Sequence, residues 1–497
     1  MNRRLKQILL LALAVTLLAG SGRLQNAMNL DRERLGFTRM SPLENAPPML
    51  AFTTVALGGF RGLISNVLWI RANDLQEQDK FFEMVQLSDW ITKLEPHMAQ
   101  VWVEEAWNMS YNISVKFKDF SDRWNWVRRG IELLRDEGLR YNPNAVIIYR
   151  ELAWDYQHKM GADLDDANFY YKQSWFQEMS EVLDGPHPNF EALIHPKTEA
   201  ERARARTLTD RFKIDPVFMQ KVDDTYGPLE WRLPEAHAIY WAALGLEKAR
   251  ENPTHVNPDD LIQLRRVIYQ SMQIVVVRGH AITSPDGKQL VDLGPNLECI
   301  RRANDAYEKA MVDDVANRSN IATGYNNFLR SAVYYLYIDN REKEAAQWYT
   351  YLQKQFPDKL LIGMDPNSLP GKMPLEEYVF ARVADQVSDT SRDKTKLFLE
   401  AAIKKSLFYL AIGDEDRAFQ MKRLAEKEWT YYQDKTSGTG QRIVIPPLAE
   451  IQQEVLKQLL DPEQGLPPQL AAQLRARLNL PPPSTNAPPA AAAEKKL

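Results

Sequence analysis

The stretch FLRSAVYYLYIDNREKEAAQWYTYLQKQFP, residues 328–357, decides the fold. Large and small side chains alternate on both sides of a polar turn at residues 339–341, and Pro357 closes the stretch. The alternating positions are Phe328, Ser331, Ala332 and Tyr335 before the turn, and Ala345, Trp348 and Tyr351 after it. Such alternation lets two short antiparallel helices interlock and leaves one face for the next pair. The sequence therefore predicts an all-α fold built from stacked helix pairs.

Four prolines mark the ends of predicted helices along the chain: Pro96, Pro143, Pro253 and Pro357. Proline has no N–H to donate and its ring clashes with the preceding turn, so a helix stops before it. The interval from Pro96 to Pro143 exceeds the usual period of a helix pair. We therefore expect degenerate repeats, or repeats with insertions.

The composition is that of a folded globular protein and excludes some functions. With 497 residues, the chain suits two or three domains or one extended repeat array. The net charge of -4 gives no general electrostatic case for binding nucleic acid. The one cysteine, Cys299, excludes an intramolecular disulfide, and we expect it to be a buried, small apolar residue.

The N-terminus has the layout of a secretory signal. Arg3, Arg4 and Lys6 precede an apolar run at residues 8–19, which small residues follow at 20–22. We therefore expect residues 1–22 to be a signal peptide or a signal anchor. A retained anchor would place the protein in a bacterial inner membrane with its bulk extracytoplasmic, whereas cleavage would make it periplasmic or secreted.

The rest of the chain divides into alternating helical and irregular parts. The turn signal at residues 284–287 lies between two short β-prone runs and predicts a β-hairpin. Between residues 184 and 234, prolines interrupt the helical pattern and only residues 198–213 predict a clear helix. The predicted divisions are a tether at 23–48, N-terminal helical repeats at 49–183, a proline-rich interruption at 184–234, C-terminal helical repeats at 235–432 with a hairpin insertion at 278–295, a loop and terminal helix at 433–461, and a mostly disordered Pro/Ala-rich tail at 462–497.

Three further stretches share parts of the pattern at 328–357. One contains Ser406, Tyr409, Gly413, Ala418 and Ala425; another contains Tyr149, Leu152, Ala153, Tyr156, Gly161, Ala167, Tyr171 and Ser174; the last contains Trp102, Ala106 and Met109 and runs to Pro143. Together, the four stretches resemble the tetratricopeptide repeat, although Tyr351 is large where that motif prefers a small residue. The resemblance covers about half of the chain and implies a right-handed solenoid.

What the resemblance implies about function is a non-catalytic scaffold that binds a protein or peptide in a groove lined by first helices. Carried over by spacing, the groove residues would be Trp107, Tyr111, Arg150, Trp154, His158 and Asn326. Arg150, Trp154 and His158 share one helix face, where they would offer a cation, a stacking surface and a titratable group. An alternative is that Trp154 packs against the neighbouring pair and that Arg150 covers it.

No catalytic, cofactor-binding or metal-binding residue is assigned from the sequence. The seven histidines form no His-Glu-x-x-His arrangement, and neither a phosphate loop nor a Gly-x-Ser-x-Gly motif occurs. An all-α enzyme acting on polysaccharides remains an alternative, with Glu104 and Glu105, or Glu151 and Asp155, as acid and base. A structural spacer without a ligand is the third possibility.

Overall fold

The computed structural model describes residues 61–284, 287–363, 366–385, 391–436, 445–462 and 465–481, together with six single positions between residues 20 and 31. Most of these residues are helical, and they also contain a two-stranded antiparallel sheet. The predicted all-α class with a small hairpin is therefore confirmed.

Three helix pairs occupy the N-terminal part. They are α1 (Arg61–Glu77), α2 (Phe81–Leu94), α3 (Ala99–Trp107), α4 (Phe120–Glu132), α5 (Val146–Trp154) and α6 (Asn168–Ser180). Helices α3, α4 and α5 continue without a break as π-helices, in which each hydrogen bond spans five residues: Asn108–Ile113, Leu133–Gly138 and Asp155–Gly161. Pro96 and Pro143 follow helical segments that end at Leu94 and Tyr141, as predicted.

The proline-rich stretch from 184 to 234 is more helical than the sequence indicates. The helices of this part and of the following pair are α7 (Phe190–Ile194), α8 (Glu199–Arg206), α9 (Pro216–Tyr226), α10 (Pro234–Glu251) and α11 (Pro258–Arg278), and α8 continues as a π-helix over Thr207–Arg211. Pro216 and Pro234 each occupy the first turn of a helix, where the missing N–H costs nothing. The prediction of a single helix in this stretch was wrong because these prolines begin helices.

The predicted hairpin is confirmed. Strand β1 (His280–Thr283) pairs antiparallel with β2 (Leu290–Gly294), and His280 lies opposite Gly294. In the turn, the Gly287 N–H donates to the Ser284 carbonyl at 2.8 Å. Gly287 has a φ of 71°, a conformation that glycine adopts without steric strain.

Helix pairs also form the C-terminal part. They comprise α12 (Ile300–Asp313), α13 (Arg318–Ile338), α14 (Glu342–Gln355), α15 (Leu375–Asp385), α16 (Ser391–Ile412), α17 (Glu415–Thr436), α18 (Leu448–Leu459) and α19 (Pro468–Arg477). Short 3₁₀ segments are Ser114–Lys116, Pro253–His255, Leu297–Cys299 and Val315–Asn317. The four stretches used for the resemblance form the pairs α3/α4, α5/α6, α13/α14 and α16/α17.

Neighbouring helices pack on one another along most of the chain. Helix α2 contacts α3, α3 contacts α5, α5 contacts α10, and each helix from α10 to α14 contacts the next. A large hydrophobic core extends from Trp102 to Val379 and includes side chains from the proline-rich stretch. A second core joins α16, α18 and α19, and a smaller one joins α1 and α2 with Ile113.

The predictions for the two ends of the chain concern residues that the structure hardly describes. Within the described residues, every helix is too short or too polar to cross a membrane. The predicted signal segment and tether, residues 1–48, lie outside the described residues except for the six single positions. The last residues of the predicted tail, 482–497, also lie outside them.

Candidate functional site

Two neighbouring helices share a Glu-x-Ala-Trp motif at a spacing of 47 positions, the spacing of Tyr111 and His158. Residues 103–108 are VEEAWN and residues 150–155 are RELAWD. Helices α3 and α5, which contain them, pack side by side, and each becomes a π-helix directly after its tryptophan. The two motifs therefore occupy equivalent places on adjacent helices. Single π-turns inside α-helices are frequent at functional sites.

Four rings from these motifs form a continuous aromatic row: Trp107, Tyr111, His158 and Trp154. Trp107 stacks on Tyr111 at 5.8 Å between ring centroids, and Trp154 stacks on His158 at 4.3 Å. A hydrogen bond of 3.1 Å joins the Tyr111 hydroxyl to Nδ1 of His158 and so links the two helices. All four rings are partly exposed. The row is therefore a surface whose rings are already held in position.

Carboxylic acids lie beneath and beside the aromatic row. Glu151 is 6% exposed and Asp155 is fully buried, whereas Glu104 is partly exposed. Burial raises the pKa of all three groups, and the neighbouring Glu151 raises that of Asp155 further. Both Asp155 and Glu151 also raise the pKa of Tyr111, so these acids lie close to the row.

Basic side chains compensate part of this acidity. Arg150 donates to Asp260 at 2.7 Å, and its other terminal nitrogen lies 3.5 Å from Glu151. Lys159, itself buried, donates to Asp165 at 2.7 Å, and its ammonium lies 5.1 Å from the centre of the Tyr111 ring. One arginine is thus shared by two carboxylates.

Ser110 donates to one oxygen of Asp155 at 3.4 Å. The other oxygen, Oδ1, has no hydrogen-bond partner among the described residues.

No family model, curated protein or solved structure matches this chain.

The structure brings together five of the six residues predicted for the groove. Four of them form the aromatic row. Arg150 is the fifth, and it contacts Glu151, one of the acids beside the row. Because Arg150 pairs with acids on α5 and α11, its guanidinium is engaged within the protein. Asn326 is separate: it lies on α13, which packs against α12 and α14, and only 6% of it is exposed. A buried amide offers no surface to a partner, so the structure gives Asn326 no place in such a groove.

The two carboxylate pairs of the enzyme alternative differ in their surroundings. Glu105 is buried, its Oε2 lacks a partner among the described residues, and burial raises its pKa to about 8. Glu104 points to a partly exposed position instead, so this pair does not face one space. Glu151 and Asp155 do lie together, but both are nearly inaccessible.

The described residues contain no group of three or more His, Cys, Asp or Glu side chains that could hold a metal ion. Cys299 is buried, and its thiol donates to the Pro228 carbonyl at 3.1 Å. Burial raises the pKa of this thiol to about 12, which keeps it protonated and unreactive at neutral pH.

Sequence reasoning missed Ser110 and Lys159, which support the row from below. Asp165, close to the start of α6, belongs to the same network. Asp165 does accept from the Ala167 N–H at 3.0 Å, but it also pairs with Lys159, and these hydrogen bonds lower its pKa to about 2 despite the desolvation that opposes them. The 47-residue repeat of Glu-x-Ala-Trp was the signal that could have located the site.

Proposed function

We propose that this protein is a non-catalytic interaction scaffold whose aromatic row binds a segment of a protein or peptide partner. In this proposal its helix pairs stack as a right-handed tetratricopeptide-like solenoid. The chain is exported, and its N-terminal apolar segment holds it in the inner membrane. The observation that supports binding most directly is the row itself, two stacked ring pairs at equivalent positions on neighbouring helices.

The geometry of the row suits a peptide for a physical reason. Stacked and hydrogen-bonded rings lose little conformational freedom when a partner covers them, so most of the contact energy is retained as affinity. Tryptophan and tyrosine are also the residues most often found at the energetic centre of protein interfaces. A ligand-free spacer would have no use for partly exposed rings held in this way.

A polysaccharide-active enzyme is the second candidate. It is favoured by the pKa values of Glu151 and Asp155, which burial raises, because general acids are commonly carboxylic acids with a raised pKa. Against it, Asp155 is fully buried and offers no surface to a sugar ring. The scaffold needs only the exposed rings and is therefore the better supported function.

The test is site-directed photo-crosslinking of the full chain in native membranes. Replacing Trp107 and Trp154 together by alanine should weaken partner binding about 1,000-fold and nearly abolish recovery, since each aromatic anchor contributes about 2 kcal/mol to binding. Phe419→Ala is the matched control, because Phe419 is an exposed ring on α17, outside the row. Circular dichroism would verify that the variants are folded.

Recovery that is equal in the double variant and in the wild type would contradict the scaffold proposal. Cleavage of a polysaccharide by the purified protein, abolished by Asp155→Asn, would favour the enzyme instead.

A further inference from the structure

The two equivalent glutamates of the 47-residue repeat differ in their charge partners. Glu151 lies 3.5 Å from Arg150, the residue directly before it. The residue directly before Glu104 is Val103, which is buried with 5% exposure and supplies no charge. Glu104 forms no ion pair with any residue that the structure describes. The first repeat therefore has a carboxylate, Glu104, at the position of Glu151, but it has no arginine at the position of Arg150.

The surroundings of Glu104 increase this local excess of negative charge. Glu104 lies close enough to Glu151 to raise the pKa of Glu151, and burial raises the pKa of Glu104 itself. Arg150 already serves both Glu151 and Asp260, and Lys159 is taken up by Asp165. Both of these cations are therefore engaged with carboxylates other than Glu104.

An aromatic ring lies next to this unpaired carboxylate. Trp107 follows Glu104 by three positions on α3, so both side chains lie on the same face of the helix. The Trp107 ring is partly exposed, and a cation over such a ring gains about 0.5–2 kcal/mol. A carboxylate beside an exposed indole is the combination that binds a guanidinium or ammonium group.

The interior of the site also contains a buried polar atom without a partner. Asp155 is fully buried, directly follows Trp154 in the chain, and has one oxygen without a hydrogen-bond partner among the described residues. Buried polar groups are nearly always paired, so an unpaired one calls for an explanation. A positive charge held near the row would favour the ionised form of this carboxyl group, as the nearby Lys159 already does.

We propose that the aromatic row selects a partner segment with an arginine or lysine, whose side chain lies on Trp107 and whose charged group pairs with Glu104. This inference rests on the proposed scaffold function and specifies the chemistry of its partner. The partner's cation takes the role in the first repeat that Arg150 has in the second. An acidic or purely apolar segment would leave Glu104 unpaired and would bind less tightly.

Fluorescence anisotropy of the purified full-length protein tests this at neutral pH. The probes are fluorescein-labelled hexapeptides of alternating glycine with arginine, glutamine or aspartate. The arginine peptide should bind about tenfold more tightly than the glutamine peptide, the ratio expected for one charge-assisted pair. This preference should weaken as salt is raised, because the pair is partly exposed.

Two matched variants separate a specific pair from a general effect of net charge. Glu104→Gln keeps the shape of the side chain and should abolish the preference for the arginine peptide. Glu191→Gln removes an exposed carboxylate on α7 and changes the net charge equally, so it should leave the preference intact.

The remaining outcomes overturn the inference. It fails if the arginine and glutamine peptides bind equally, if neither binds, or if the preference survives Glu104→Gln. One of these outcomes separates the two proposals. If both peptides bind equally and the Trp107/Trp154 double variant binds neither, the row does not select a cation, but the scaffold proposal stands.

Discussion

His237 shows how closely single residues are constrained in the main core. It is fully buried between the rings of Tyr156, Trp175 and Trp231, at centroid distances of 5.3, 4.8 and 5.9 Å. Its Nε2–H donates to the Trp231 carbonyl at 2.8 Å, while Nδ1 has no partner among the described residues. Burial lowers the pKa of His237 to about 4, so the imidazole stays neutral in the folded protein.

This buried histidine predicts a loss of stability in mild acid. Above the unfolded pKa of about 6.5, both states are neutral and His237 has no effect on the pH dependence. As the pH falls from about 6.5 towards 4, only the unfolded state takes up the proton, so the free energy of unfolding decreases. From pH 7 to pH 5 we expect His237 to account for about 2 kcal/mol of this decrease.

Urea unfolding of His237→Gln at both pH values tests the prediction, since glutamine keeps a donor but does not titrate. The variant should lose that part of the pH dependence. His195→Gln, at an exposed loop position, should behave like the wild type. The same pH dependence in His237→Gln as in the wild type would show that the imidazole is not the group responsible.

Among the secondary-structure elements, α3 and its π-helical continuation pack tightly against α4 at Gly130. A Cβ atom at this glycine would lie 2.9 Å from the Ala106 carbonyl oxygen and 2.6 Å from Oγ of Ser110. The backbone of α3 cannot move aside as a flexible side chain would. Since Ser110 also donates to Asp155, this crossing positions one of the groups beneath the aromatic row.

We therefore expect Gly130→Ala to lower the free energy of unfolding by about 1–3 kcal/mol through overpacking. The effect is opposite to the intrinsic helix preference, by which alanine exceeds glycine by about 1 kcal/mol. Gly62→Ala on α1 is the matched control, because no atom of the described residues lies within 4 Å of its added Cβ. It should be neutral or stabilising in the same denaturant titration, and equal effects of the two changes would refute close packing at Gly130.

In the whole molecule, the small hairpin connects the large core with the C-terminal helices. Successive strand residues point to opposite faces of a sheet. Ala281 of β1 packs with Phe176 and Leu233, on the side of the large core. Ile282, the next residue, packs with Tyr409 of α16 and Ala418 of α17. One face of the hairpin therefore packs on the side of the large core, and the other face packs against α16 and α17.

Ile282→Ala should loosen the C-terminal helices selectively. Removal of a buried isoleucine side chain costs about 2–5 kcal/mol, and the Ile282 side chain packs against α16 and α17. Hydrogen exchange should become faster in these two helices and stay unchanged in α10 and α11. Leu293→Ala on the other face is the control and should not alter exchange in α16 and α17. Uniformly faster exchange throughout the chain would contradict a local connection.

Part of the site could be predicted from the sequence, because helical spacing decides which residues of one helix share a face. Arg150, Trp154 and His158 share a face by helical spacing alone, and Trp107 and Tyr111 follow the same rule one repeat earlier. Their meeting as one row required α3 and α5 to pack side by side, which the resemblance suggested. Helical spacing could not reveal that Asn326 is buried. Its burial depends on the helices that pack against α13 and not on the sequence of α13 itself.

The sequence by itself determined the helix pairs, their proline-marked ends, the hairpin and the kinds of side chain on the first helices, because these follow from the periodicity of a few consecutive residues. Tertiary structure alone decided that Arg150 pairs with Asp260, that Asp155 is fully buried, and that Glu104 forms no ion pair within the described part of the chain. Charge pairing and desolvation depend on groups brought together from more than 100 positions away, and a short stretch of sequence does not contain those distances.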